Sequence, residues 1–260
     1  MRYEEDFFKL LEKIKKHENF AFTRFSDGEV FVMQNKELIL AKENVRVGET
    51  VYNFGYDEED HKHFDPSEHG FLKDALLDAY KFKKDNYFVG GICSNCTCAS
   101  RDYKDWMQEQ YGEMDENYMT TNLLVNSNYS IFMSQMLPEI KKRELVIICN
   151  EKATFPDKDL KIKKHFKVGK NCIVNDWHLI EEISSWIEEN DVENCLFLFS
   201  ASSLSEVLIH KLYDKHSNNT YIDVGTTMNK SFGLSLKRDY LKSYWLNGSL
   251  TPDIFRKCEY

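Results

Sequence analysis

Apolar side chains recur at helical spacing near the start of the chain, with Tyr3, Phe7, Leu10, Leu11 and Ile14 on one stripe. This pattern predicts an amphipathic helix over residues 3–16. A short apolar run at 20–25 reads as the first strand, and 29–35 fits a helical turn or a strand equally well. Residues 51–70, rich in Asp, Glu, His, Gly and Tyr, read as a long loop. Residues 71–82 form a second clear helix, with Phe71, Leu72, Ala75, Leu76 and Ala79 on one face. From there a unit repeats: apolar run, polar turn, amphipathic helix. It predicts strands at 87–92, 122–125, 145–149, 172–174, 195–199 and 221–224, and helices at 100–111, 128–141, 176–189 and 203–213. Such alternation predicts an α/β fold, a Rossmann-like and mostly parallel sheet with helices on both faces. Its 260 residues suit a single domain, with 1–19 as an N-terminal helix and 231–260 as a C-terminal extension.

Composition narrows the classes. With 42% hydrophobic and 30% charged residues, no long disordered segment is implied. No apolar run approaches the roughly 20 residues that span a bilayer, and the start of the chain lacks a basic region followed by an apolar stretch. The expectation is a cytoplasmic protein of a bacterium or a virus-infected host cell, without a membrane span. Seven scattered cysteines fit reduced thiols buried as small hydrophobes. A formal charge of −9 disfavours general nucleic-acid binding. Two basic stretches, K-I-K-K-H-F-K-V-G-K at 161–170 and S-L-K-R-D-Y-L-K at 235–242, leave room for a local basic face, though such runs are commonly solvated surface. Cys93, Cys96 and Cys98, with His61, His63 and His69, offer ligands for a structural zinc, but the paired Cys-x-x-Cys arrangement is absent.

Ligands of parallel α/β sheets sit outside the carboxyl ends of the strands, so motifs there carry the chemistry. Ser26-Asp27-Gly28-Glu29 ends the first strand and has two readings. As a capping box, Ser26 and Glu29 satisfy orphan amides at a helix start, and Asp27 favours the helix dipole. As an Asp-x-Glu chelate, Asp27 and Glu29 hold Mg²⁺ or Mn²⁺, which requires a turn rather than a helix; Gly28 permits that bend. Ser200, Ser202 and Ser203 join a strand to a helix and offer amides to an anion, with Ser203 and Glu206 as a further capping box. Asn126 and Asn128 end another apolar run, suited to a base, ribose or sugar hydroxyl and equally to capping. Asp223 sits near the end of a short apolar strand, where a carboxylate is expensive unless paired or functional.

The order of these blocks resembles the bacterial glycosyltransferases of the GT-D fold. The likeness runs through R-F-S-D-G-E at 24–29, N-L-L-V-N-S-N-Y at 122–129, F-L-F-S-A-S-S-L-S-E-V-L at 197–208 and Y-I-D-V-G at 221–225. Two positions depart from the family pattern: Ser26 replaces a glycine, and Ser200-Ala201-Ser202-Ser203 replaces a turn that is often Gly-Pro-Ala. The resemblance implies transfer of a hexose, glucose foremost, from a UDP-sugar to an acceptor hydroxyl. It implies a Mn²⁺ or Mg²⁺ ion held by Asp27 and Glu29, and Arg24 beside the phosphates. Donor contacts are then expected from Arg24, Gly28, Asn126, Asn128, Ser200, Ser202 and Ser203. Asp223, His178, Glu151 and Asp57 are the candidates for a catalytic base. The acceptor is expected to be a glycan or glycoconjugate, with Trp106, Trp177 and Trp245 available to stack on sugar rings. A hydroxymethylated base in DNA is the alternative acceptor, and a non-catalytic nucleotide-sugar-binding module the alternative class. The sequence is compatible with action alone and with action as an oligomer.

Overall fold

Alternate residues of each central strand face opposite sides of one sheet, and both sides are covered. In the strand Leu196–Ser200, Leu196 and Leu198 enter one core while Phe197 and Phe199 enter the other. In Glu144–Asn150, Leu145 and Ile147 alternate with Val146 and Ile148 in the same way. Burial on both faces is why these strands read as unbroken apolar runs. The computed structural model describes residues 3–53, 61–92 and 100–247.

Eleven strands are described: β1 Ala21–Arg24, β2 Leu38–Leu40, β3 Val45–Val47, β4 Thr50–Tyr52, β5 Lys62–Phe64, β6 Tyr87–Gly91, β7 Tyr118–Thr120, β8 Glu144–Asn150, β9 Lys161–Val168, β10 Leu196–Ser200 and β11 Thr220–Asp223. Seven form a sheet in the order β7-β6-β1-β11-β10-β8-β9, and every pair in it is parallel. One face is covered by the helices Pro66–Lys81, Leu179–Glu189 and Leu204–Lys215, and the other by Tyr3–Lys15, the helical stretch 129–140 and Asp239–Leu246. The expected α/β architecture is therefore the observed one. A small antiparallel sheet, β4-β3-β2-β5, is inserted between β1 and β6. Among the described residues no helix is long and apolar enough to cross a membrane.

Several elements differ from the sequence-based expectation. The seventh strand is β9, formed by the lysine-rich stretch, whereas 172–174 belongs to the short helix Cys172–Asn175. As an edge strand β9 pairs only with β8 and exposes Lys161, Lys163 and Lys167, so it reads as a charge run. The strand expected at 122–125 lies earlier, at Tyr118–Thr120, and 122–128 is a series of turns ending in a short 3₁₀ segment. The loop expected at 51–70 includes β5 and the start of the helix Pro66–Lys81, where the Asp65 side chain accepts from Ser67 N and Pro66 takes the first position. The residues 29–35, left between helix and strand, lie largely in the helix Asp27–Met33.

Candidate functional site

Strand order reverses between β1 and β11: the chain moves from β1 outward to β6 and β7, then crosses to the other side and returns to β11. Neighbouring loops diverge at such a switch point and leave a crevice at the carboxyl ends. A cleft of about 950 Å³ opens there, lined by Arg24 from the end of β1, Ser200 from β10, Asp223 from β11, Lys62 from the inserted sheet and Arg238 from the C-terminal segment.

At the cleft floor, Ser26 precedes the helix Asp27–Met33, and its backbone N–H and hydroxyl both donate to Glu29 Oε2, at 3.1 and 2.9 Å. The other oxygen, Oε1, accepts from the Ser203 hydroxyl and faces Lys62 Nζ at 3.5 Å. Lys62 Nζ also donates to Ser203 Oγ. Burial pushes the Glu29 carboxyl up, but the Lys62 ammonium and the hydrogen bonds from Ser203 and Ser26 outweigh it and hold the group below its ordinary range. Asp27, two positions earlier, is exposed and among the described residues accepts only the local Gly28 N–H at 3.1 Å. Helical residues two apart point about 200° apart, which follows from 3.6 residues per turn. The expected turn is thus a helix start, and both Glu29 oxygens are engaged. As donors for a divalent ion, Asp27 and Glu29 do not fit.

Beside this cluster, Arg24 is clamped across three chain segments. Its Nε donates to Thr121 O at 2.7 Å, and its Nη1 lies 3.8 Å from Asp223 Oδ2. Asp223 Oδ1 accepts the Gly225 N–H at 2.8 Å, closing a turn in which Gly225 has φ +49. A Cβ on Gly225 would lie 2.3 Å from Arg24 Nη1, so a side chain here would displace the guanidinium, in a left-handed backbone that favours glycine. Burial raises Asp223 to about 6, against the pull of Arg24 and the Gly225 N–H. Glu206 is buried and raised well above the ordinary carboxyl range, by burial first and then by the charges of Asp223 and Glu29. Its Oε2 has no hydrogen-bond partner among the described residues.

The structure brings Arg24, Asp27, Gly28, Glu29, Asn126, Ser200, Ser202 and Asp223 to one cleft. Ser203 lies beneath it, fully buried against Glu29 and Lys62, so the expected Ser203–Glu206 capping box does not form. Ala201 N–H, one of the amides at that turn, is already taken by Ser205 Oγ at 3.0 Å. Asn128 is structural: its amide donates to Asn122 O at 2.7 Å and its carbonyl accepts from Ser127 Oγ at 3.1 Å. His178 does not line the cleft; it precedes the helix Leu179–Glu189 with 63% of its side chain exposed. Glu151 is exposed outside the lining, and Asp57 lies outside the described residues. The three tryptophans pack elsewhere: Trp245 Nε1 donates to Tyr129 OH at 2.9 Å, Trp177 meets Phe71 edge-on, and Trp106 lies against the core. Cys93, Cys96 and Cys98 also lie outside the described residues, and among those described no three His, Cys, Asp or Glu side chains gather as a metal site. Two residues of the cluster escape sequence reasoning. Lys62 hides in a stretch read as loop, and Glu206 in a capping pattern.

No family model matches the chain, and no curated protein matches it. Solved structures do share its fold. A domain of unknown function 1792, described as having a distinct glycosyltransferase fold, superposes with a TM-score of 0.54 at 16% identity, covering 90% of this chain and 83% of that one. A glycosyltransferase of the same domain type from Streptococcus sanguinis gives 0.53 at 14%, covering 89% and 85%. The chain therefore has an α/β glycosyltransferase fold, with its cleft at the switch point of the parallel sheet.

Proposed function

We propose that this protein is a glycosyltransferase that moves a hexose from a UDP-sugar to an acceptor hydroxyl of a glycan or glycoconjugate. The observation that carries the reading is the Arg24–Asp223 pair, a fixed cation and a carboxylate raised to about 6, at the cleft of a glycosyltransferase fold. Written as a single displacement, the acceptor oxygen forms a bond to the anomeric carbon as the bond from that carbon to the diphosphate oxygen breaks. The bonding pair leaves with the nucleoside diphosphate, and the hydroxyl proton passes to the Asp223 carboxylate. Preorganised positive groups at the leaving oxygens lower the barrier because they need no reorientation as charge develops. In this reading Arg24, held by Thr121 O and Asp223, is such a group. A base near the operating pH combines the correct protonation state with useful proton affinity.

Release of nucleoside diphosphate from a panel of UDP-, GDP- and dTDP-sugars, with glycan acceptors and with hydroxymethylated DNA, tests this reading. One donor is expected to turn over, with a rate that rises through about pH 6 as Asp223 ionises. Asp223→Asn is expected to lower kcat by roughly 10²-fold or more and to abolish that pH limb. Tight binding of a nucleotide sugar with no turnover on any acceptor would instead identify a binding module.

A further inference from the structure

We propose that Lys62 supplies the positive charge that a divalent ion supplies in metal-dependent transferases, so that this cleft takes its nucleoside diphosphate without metal. The inference rests on the transferase reading and concerns which cation meets the diphosphate. Lys62 lines the cleft and is only 4% exposed, so its charge acts there with little solvent screening. It is fixed from two sides. Its Nζ meets Glu29 Oε1 and Ser203 Oγ, and Ser203 opens the helix Leu204–Lys215, whose N-terminus adds positive potential at the same floor.

The backbone is held as firmly. Asn171 brackets Lys62: its side-chain carbonyl accepts His63 N–H at 2.9 Å, its amide donates to His63 O at 3.1 Å, and its backbone N–H donates to His61 O at 3.2 Å. Gly28, at the start of the neighbouring helix, stands beside the ammonium: a Cβ built there would lie 3.5 Å from Nζ, at ordinary contact distance. Charge points the same way. At the floor Lys62 is paired with Glu29 and Arg24 with Asp223. A divalent ion entering beside Glu29 meets an ammonium already in place and no uncommitted oxygen on that carboxylate, whereas a diphosphate meets two fixed cations.

Calorimetric titration of UDP, GDP, dTDP and ADP into the full-length protein, in EDTA and in MnCl₂, decides the point. One nucleotide is expected to bind with affinities within about twofold in the two buffers, since neither depends on a metal bridge. Removing Lys62 alone leaves Glu29 buried and unpaired, so Lys62→Met is paired with the double variant Lys62→Met/Glu29→Gln, which removes both charges. Both are expected to bind at least roughly tenfold more weakly, without rescue by MnCl₂. Wild-type binding that appears only with MnCl₂, or a folded double variant that keeps wild-type affinity, overturns the inference and leaves the transferase reading standing. Failure of all four nucleotides to bind in either buffer removes both.

Discussion

Both oxygens of Glu29 are committed, one to Ser26 and one to Ser203 and Lys62, while Asp27 stands in solvent at the start of the same helix. The two acids of one short motif therefore have different tasks, and substitution separates them. Asp27→Ala is expected to lose only the helix-dipole contribution, about 0.3–1 kcal/mol in a denaturant titration. Glu29→Gln leaves the buried Lys62 ammonium without its counter-charge and is expected to destabilise by about 3–5 kcal/mol. Equal, small effects of the two would contradict the buried pair. Asp223 adds a pH dependence of known sign. Folding raises its carboxyl from 3.8 to about 6, so the folded state binds this proton more tightly than the unfolded chain. The resulting stabilisation is fully present below about 3.8 and is lost as pH rises through about 6. Near neutral pH an ionised Asp223 is a burden on stability. Asp223→Asn is accordingly not expected to lower the thermal midpoint at pH 7.

At the scale of elements, the strands that follow the expected pattern most closely are those with both faces buried. β8 and β10 announce themselves as continuous apolar runs, and β1 as a shorter one that ends at Arg24. β9 does not, because an edge strand carries lysines along its open side. β7 escapes too: three residues are too few to set a period, and the more apolar Leu123-Leu124-Val125 that follows is buried as turns. Of the site, the strand-end residues were legible because parallel topology fixes where they gather. Lys62 was not, since its partner Ser203 is 141 positions away and β5 gives no local signal. The turn after β11 carries the sharpest prediction at this scale. Gly225→Ala combines a left-handed backbone with a Cβ that would overlap Arg24. It is expected to cost about 1–3 kcal/mol and to weaken nucleotide binding together with stability, because Arg24 must move. A variant with wild-type stability and affinity would show that Arg24 is not held as described.

For the whole molecule, the inserted antiparallel sheet is part of the cleft, since β5 carries Lys62 to its lining. The parallel sheet supplies Arg24, Ser200 and Asp223, the insertion supplies the second cation, and the C-terminal segment brings Lys237, Arg238 and Lys242 to the rim. Positive groups from three regions of the chain thus surround one cleft in a protein whose formal charge is −9. That distribution suits a small anionic donor held at one site. The C-terminal basic stretch reaches the cleft, and of the lysine-rich stretch forming β9 only its end does, at Val168 and Gly169. The central claim is that a nucleoside diphosphate lies between Arg24 and Lys62 at the switch point of the sheet. Its most direct test is a crystal structure with the nucleoside diphosphate of the active donor, grown in EDTA. The account predicts diphosphate oxygens within hydrogen-bonding distance of both Arg24 and Lys62, with Asp223 facing the sugar side. A nucleotide bound elsewhere, or one whose diphosphate contacts neither cation, would contradict it.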